Sequence, residues 1–322
     1  MGIFLLKDIN KFLNLCVKQQ EKRAMVQPEY KEWKKDAKSH LLDVIVKRWR
    51  AANEWESGNK WFKLKYNVLH MEDSGYKGWV SIGGPWSNHL VAMSYAGQQL
   101  LIPGVGLIRG EWRMQSPTAA MIEMERNGME LQGLDVSLYE WRDSEDFKVW
   151  IRDQFPGYYF IPEGGSNYWG LMGAMEMIDE YDRNSFDHIW VAGGTGTTGA
   201  GILLASNPQQ KVHVVFALKA PEYELREMVR SKLKWVISQD DLINDFMDRL
   251  QVYSEDRWGG YGKGGQELFD FIDRSAQAGL EWDRVYTGKM AWMIDQQWVN
   301  LEHRNLIIHT GGLQGNRSIT SS

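Results

Sequence analysis

A chain of 322 residues, 43% hydrophobic and 25% charged, has enough apolar material to bury a sizeable core in one large domain or two. Its formal net charge of -5 argues against a polyanionic partner such as nucleic acid. The single cysteine, Cys16, excludes an intramolecular disulfide and fits a reducing cytoplasm, and the seven histidines fall at no metal-ligand spacing, so no metal is expected.

The N-terminus carries Ile3, Phe4, Leu5 and Leu6, but Lys7 and Asp8 end the apolar run, and the basic start and cleavage site of a signal peptide are missing. No stretch approaches the roughly 18 apolar residues of a membrane span. Residues 1–40 read as amphipathic helix, and 41–47 as a strand rich in Val and Ile. Ser57-Gly58-Asn59-Lys60 then opens a helix whose Trp61, Leu64 and Val68 share one side. Alternating units follow: strand 78–82, helix 90–100 capped by Ser87 or Asn88, and strand 104–109. Ser116-Pro117-Thr118 is expected to open a helix through Asn127 with proline in its first turn, before a strand over 134–138. Further along, a helix over 170–181, a strand over 186–192, a helix over 200–206 and a strand over 211–218 complete a βαβ unit. Polar helices over 222–233 and 242–250, an ordered loop over 254–265, helices over 267–278 and 289–298, a last strand over 306–310 and a frayed tail over 318–322 end the chain.

Gly193-Gly194-Thr195-Gly196-Thr197-Thr198-Gly199 follows its strand directly. Converging backbone N–H groups, three hydroxyls and a helix N-terminus suit a phosphate dianion. The dinucleotide spacing occurs at Gly194, Gly196 and Gly199, but Val214-Val215-Phe216-Ala217 stands where an acidic residue would end the next strand, which disfavours a dinucleotide. Lys60 reads either as a solvated lysine at a helix start or as a Schiff-base lysine beside a carbonyl cofactor, and its own stretch does not choose. Ser87-Asn88-His89 suits a carboxylate, although by itself it is better described as a plain N-cap. Tyr261 and Tyr286, both beside glycines, read equally as packing aromatics or as proton-transfer groups. Gly164-Gly165-Ser166-Asn167 and His309-Thr310-Gly311-Gly312 are turns at strand ends, where open α/β sheets gather ligands.

Together these stretches, with Gly83-Gly84-Pro85-Trp86, Ile161-Pro162-Glu163 and Val285-Tyr286-Thr287-Gly288-Lys289, resemble the pyridoxal-phosphate family of 1-aminocyclopropane-1-carboxylate deaminase and D-cysteine desulfhydrase. They stand in family order between about residues 41 and 315. The resemblance implies an α/β, tryptophan-synthase-β-like fold (fold type II) of two open parallel-sheet domains with helices on both faces. A large cofactor domain would use residues 1–66 and 159–322, and a smaller inserted domain 67–158.

It also implies pyridoxal 5'-phosphate bound covalently by Lys60, with its phosphate on Gly193, Gly194, Thr195, Gly196, Thr197 and Thr198. Asn88 would contact the cofactor ring or its phenolic oxygen. Ser87, Asn88 and His89 would meet the substrate, the carboxylate falling to Ser87 and His89, and Tyr261 and Tyr286 would face it. Lys60, Ser87, Tyr261 and Tyr286 are thus the expected catalytic set, Thr287 and Thr310 the two candidates at the pyridine nitrogen, and Lys63 and Lys65 are left in solvent. Two departures from the family stand out. Trp86 replaces the glutamine that often precedes Ser-Asn, which points to a reshaped substrate pocket. Thr287 replaces the deaminase's glutamate and cannot keep the pyridine nitrogen protonated. The second favours β-elimination from D-cysteine or a similar small amino acid, giving keto acid, ammonia and sulfide. The alternatives are 1-aminocyclopropane-1-carboxylate deaminase on the same scaffold and, from another class, a catalytically silent cofactor-binding protein. A cytoplasmic homodimer is the family expectation.

Overall fold

The computed structural model describes residues 27–33, 44–50, 58–296, 304–313 and 316. Expectations for 1–26, 34–43, Ser57, the helix end at Trp298 and the tail over 318–322 lie outside these residues. Where the expected N-terminal helix reaches the described part it gives way to a strand, β1 (Gln27–Glu32), antiparallel to β2 (Val44–Arg50) at the edge of the larger sheet. The Lys and Glu content suggested a helix, but Pro28 is better tolerated on an edge strand than inside a helix. Tyr30 fixes the strand by donating its hydroxyl to Asp179 at 3.1 Å and Asp182 at 3.0 Å.

Helix α1 (Asn59–Asp73) sends Phe62 into the core beneath the larger sheet, and Leu64, Val68 and Met71 into the core of the smaller one. It therefore spans both halves of the molecule. Strand β3 (Gly78–Gly83) is buried along its whole length, as a central parallel strand should be. Helix α2 (Asn88–Leu100) is capped as expected, Ser87 Oγ accepting the Leu90 N–H at 3.2 Å. After β4 (Gly104–Arg109), helix α3 (Ala119–Arg126) is capped by Thr118, which accepts from Met121 N at 3.2 Å; Pro117 precedes the cap and does not sit in the first turn. The strand expected over 134–138 is displaced: β5 is Glu130–Leu134, a polar edge strand, and Asp135 caps a short helix, α4 (Val136–Glu140). Helix α5 (Glu145–Gln154) and β6 (Tyr158–Ile161) follow.

The helix expected over 170–181 is two helices, α6 (Tyr168–Met175) and α7 (Glu180–Ser185), separated because Asp179 and Asp182 form a reciprocal capping box. Strand β7 (His188–Gly193), helix α8 (Thr197–Ala205), β8 (Lys211–Phe216) and α9 (Glu222–Leu233) run as expected. The next helix, α10 (Asp240–Met247), stops short, and Leu250–Ser254 is a strand, β9. Helices α11 (Gln266–Gln277) and α12 (Thr287–Gln296) precede β10 (Asn305–Ile308).

The larger sheet has the order β1-β2-β10-β7-β8-β9 and the smaller β5-β4-β3-β6; every pairing except β1–β2 is parallel. The expected division at 158/159 falls inside β6, which pairs with β3 in the smaller sheet. Both faces of both sheets are covered. Helices α6, α8, α9 and α10 pack on one face of the larger sheet and α11 and α12 on the other. Helices α1, α2 and α3 cover one face of the smaller sheet and α4 and α5 the other. The carboxyl ends of β3, β7 and β10 lead into the three glycine- and hydroxyl-bearing turns that line one cavity.

Candidate active site

Asn59 brings the parts together. Its backbone N–H donates to the Thr310 carbonyl at 3.1 Å, and its side-chain amide donates to Thr198 Oγ1 at 3.0 Å. The first turn of α1 is thus tied both to the loop after β10 and to the first turn of α8. The next residue, Lys60, lines a cavity of about 500 Å³. Its amine has no hydrogen-bond partner among the described residues. Burial lowers it to about 8, against the opposing pull of the Asp283 carboxylate.

The glycine loop forms one wall. Gly196 stands at φ +82° before α8, and Thr195 and Thr198 line the cavity. Thr197 is fully buried behind them and shares its hydroxyl with Ser166 Oγ at 2.7 Å. Lys63, one helical turn after Lys60, also lines this wall. It is not in solvent: it is 3% exposed, and its Nζ donates to the Gly164 carbonyl at 3.0 Å. Burial, then the charges of Lys60 and Lys232, hold this amine well below the ordinary lysine range. Lys65 is half-buried and pairs with Glu176. Both lysines left in solvent by the sequence are therefore engaged.

On the opposite wall Ser87, Asn88 and His89 occupy the start of α2. Ser87 is an N-cap and a cavity residue at once. His89 Nε2 lies 3.1 Å from Ser81 Oγ, and its Nδ1 is buried without a hydrogen-bond partner among the described residues. Burial, reinforced by Lys60 and Lys63, keeps the ring neutral around pH 7. Trp86 is 37% exposed and does not line the cavity, so it does not shape the pocket directly.

Tyr261 and Tyr286 meet edge to face, ring centroids 5.7 Å apart. Burial raises both phenols, Tyr286 the further, and Tyr261's presence adds to the rise at Tyr286. Behind them lies Asp283, 1% exposed, accepting from the backbone N–H groups of Val285 (3.0 Å), Tyr286 (2.7 Å) and Thr287 (2.8 Å). The Thr287 hydroxyl also donates to Asp283. Thr287 is fully buried and does not reach the cavity, whereas Thr310 lines it. The remaining wall is charged: Tyr139 and Arg142 both donate to Glu163, at 2.6 and 3.0 Å, and the Arg109 guanidinium lies 5.3 Å from the centre of the Tyr139 ring.

Of the expected residues, then, the cavity collects Lys60, Ser87, Asn88, His89, Gly193, Gly194, Thr195, Gly196, Thr198, Tyr261, Tyr286 and Thr310, and leaves Thr197 and Thr287 just behind its surface. The residues missed from the sequence are Asn59, Lys63 and Asp283, together with the Arg109, Tyr139 and Arg142 of the charged wall. Lys63 carried a usable signal, since a residue three after Lys60 lies on the same helix face. The long-range bonds of Asn59 and the backbone contacts of Asp283 had none in the sequence.

The architecture is shared with solved structures. An ACC deaminase homologue superposes with a TM-score of 0.71 at 24% identity, covering 91% of each chain. A hydrogen sulfide-producing enzyme from Fusobacterium nucleatum gives 0.61 at 13% identity, over 90% of this chain and 96% of that one. The fold is that of the fold type II pyridoxal-phosphate enzymes. Among curated relatives, the 1-aminocyclopropane-1-carboxylate deaminase of Pseudomonas syringae pv. syringae is 30% identical over 273 residues, 74% of this chain and 76% of the relative. The Arabidopsis thaliana bifunctional D-cysteine desulfhydrase/1-aminocyclopropane-1-carboxylate deaminase, named as mitochondrial, is 28% identical over 80% of this chain and 69% of its own length. No protein-family model matches the sequence. The chain belongs to the 1-aminocyclopropane-1-carboxylate deaminase and D-cysteine desulfhydrase family of pyridoxal-phosphate-dependent lyases and deaminases. Among the described residues no helix is long and apolar enough to cross a membrane.

Proposed function

We propose that this enzyme catalyses β-elimination from D-cysteine or a closely similar small amino acid, releasing keto acid, ammonia and sulfide. The cavity residues suit the cofactor. An unpartnered amine at Lys60, a glycine loop at a helix start and the orphaned Nδ1 of His89 all call for a ligand with an aldehyde, a phosphate and further polar groups. In this reading Lys60 is the covalent anchor. The loop from Gly193 to Thr198, with Lys63, holds the phosphate, Thr197 acting from behind through Thr195. Asn88 meets the cofactor ring. Ser87, Asn88, His89 and the N–H groups of α2 take the substrate, with the carboxylate on Ser87 and His89. When bound, the cofactor supplies an electron sink for charge released at the substrate Cα.

Lys60 is suited to carry the proton at Cα. An amine near 8 is neutral often enough at physiological pH to accept a proton and then return it. Tyr261 and Tyr286, whose phenols are raised by burial, are protonated at that pH and line the cavity, so in this reading they would supply a proton to a departing thiolate. The observation that carries the desulfhydrase reading is the commitment of the Thr287 hydroxyl to Asp283. Of the two candidates it favours Thr310, a neutral hydroxyl that lines the cavity, for the pyridine nitrogen. A sink without a partner carboxylate is weaker and matches a substrate with a good leaving group.

The deaminase reading keeps one specific support, the buried charge of Asp283 one hydrogen bond behind Thr287. Sulfide from D-cysteine and 2-oxobutanoate from 1-aminocyclopropane-1-carboxylate, assayed on one preparation, separate the two. Sulfide release with no 2-oxobutanoate is the expected result; 2-oxobutanoate alone overturns it. A two-domain division with the cleft at α1, a homodimeric assembly and cytoplasmic residence are parts of the same proposal. The last rests on the cysteine count of one.

A further inference from the structure

Lys289 is a lysine for which neither the fold nor the chemistry above has a use. It is completely buried in the first turn of α12, three residues after Tyr286. A buried ammonium is costly unless it is bonded and balanced. Its Nζ donates to the Gly260 carbonyl at 2.6 Å; burial lowers the amine below the ordinary lysine range, and the charges of Glu255, itself 7% exposed, and Asp283 oppose that fall. The bond reaches across to the loop between β9 and α11, which carries Tyr261. Gly259 and Gly260 there stand at φ +88° and +95°, in a region open to glycine, so the chain turns sharply just before the tyrosine. The same face of α12 grips this loop a second time. Trp258 meets Trp292 edge to face at 4.8 Å, and the Arg257 guanidinium lies 4.4 Å over the Trp292 ring. The Tyr261 residue is 49% exposed, its ring resting on Tyr286 and its phenol end turned into the site.

We propose that Lys289 is a positioning residue which, by holding the Gly260 carbonyl, sets Tyr261 against Tyr286 at the mouth of the cavity. One helix start then fixes both tyrosines. Asp283 holds Tyr286 through its N–H, and Lys289 holds Tyr261 through the carbonyl that precedes it. The assignment rests on the reading of Tyr261 as a substrate-facing group.

The test is a double-mutant cycle on the holoenzyme, with Lys289→Met, Tyr261→Phe and both together. It is accompanied by hydrogen exchange on peptides covering 255–265 and by cofactor absorbance. Lys289→Met is expected to speed exchange in 255–265 alone, to leave cofactor absorbance as in the wild type, and to lower kcat/KM about 10²-fold, as a misplaced group does. In the Tyr261→Phe background the same substitution is expected to cost almost nothing further. Lys289→Gln retains an N–H for Gly260 and is expected to recover part of the loss; it also serves if Lys289→Met does not fold. Equal losses in the two backgrounds, or unchanged exchange in 255–265, overturn the assignment. A fully active Tyr261→Phe enzyme identifies a different failure, that of the tyrosine reading, and removes the ground for the assignment with it.

Discussion

Gly173 offers a sharp test of how the scaffold holds Lys60. It lies in α6, where that helix crosses α1, and a Cβ placed on it would stand 1.7 Å from the Phe62 carbonyl oxygen. Carbon–oxygen contacts of this kind settle at about 3.3–3.6 Å, so Gly173→Ala forces the helices apart by about 1.5 Å or more. The obstacle is backbone within a helix, which cannot swing aside as a side chain can. Overpacking costs about 1–3 kcal/mol and occasionally more. The gain in helix propensity, about 1 kcal/mol, offsets only part of it. A net loss of about 1–2 kcal/mol lowers Tm by roughly 2–8 °C at about 2–4 °C per kcal/mol. Because Phe62 follows Lys60 by two residues, the displacement also moves the amine relative to Thr198, and misplacement of about 1 Å is worth about 10²-fold in rate. Thermal melts and kcat/KM of the holoenzyme read both effects. Gly84→Ala is the control for stability, since its Cβ meets nothing within 4 Å. A Gly173→Ala enzyme that melts with the wild type and keeps its kcat/KM refutes the reasoning.

Three other outcomes follow from the same geometry. Only the neutral amine attacks an aldehyde, so the rate at which apoenzyme takes up pyridoxal phosphate should rise with pH through a midpoint of about 8. Asp283→Asn removes a charge that raises this amine and should shift the midpoint to lower pH; a shift upward contradicts the assignment. Asn59→Ala leaves Thr198 Oγ1 without its donor, and a lost buried bond is worth about 1–3 kcal/mol. It should speed cofactor loss on dialysis, and an unchanged rate counts against the tie between α1 and α8. Lys47→Ala strands Asp182, which is 0% exposed, without its cation. Urea unfolding should show a loss of about 3–5 kcal/mol; a loss under about 1 kcal/mol makes the cluster dispensable.

Strong local signals are legible in the sequence. The continuous apolar run of β7, the Ser87 cap and the glycine loop after β7 each carry their structure in a few neighbouring residues. Elements defined by distant partners are not. β1 is strand because β2 offers it an edge, and Tyr30 finds Asp179 and Asp182 some 150 positions away. The break between α6 and α7 depends on a capping box of two aspartates, where the usual signature is a hydroxyl followed by Glu or Gln. The same distinction applies to the site. Thr287 stood at the motif position for the pyridine nitrogen, yet a carboxylate four residues earlier claims its hydroxyl. Lys63 looked solvated because lysines usually are, and only the Gly164 carbonyl, 101 residues on, makes it a cavity residue.

Two buried amines one helical turn apart make the identity of the covalent anchor the central question. Borohydride reduction of the holoenzyme, followed by proteolysis and mass spectrometry, fixes the cofactor to whichever lysine held it. The expected result is a single modified peptide with the added mass on Lys60, and no labelling of a Lys60→Ala protein. Modification at Lys63, or labelling that survives Lys60→Ala, contradicts the assignment of Lys60 and with it the reading of the cavity.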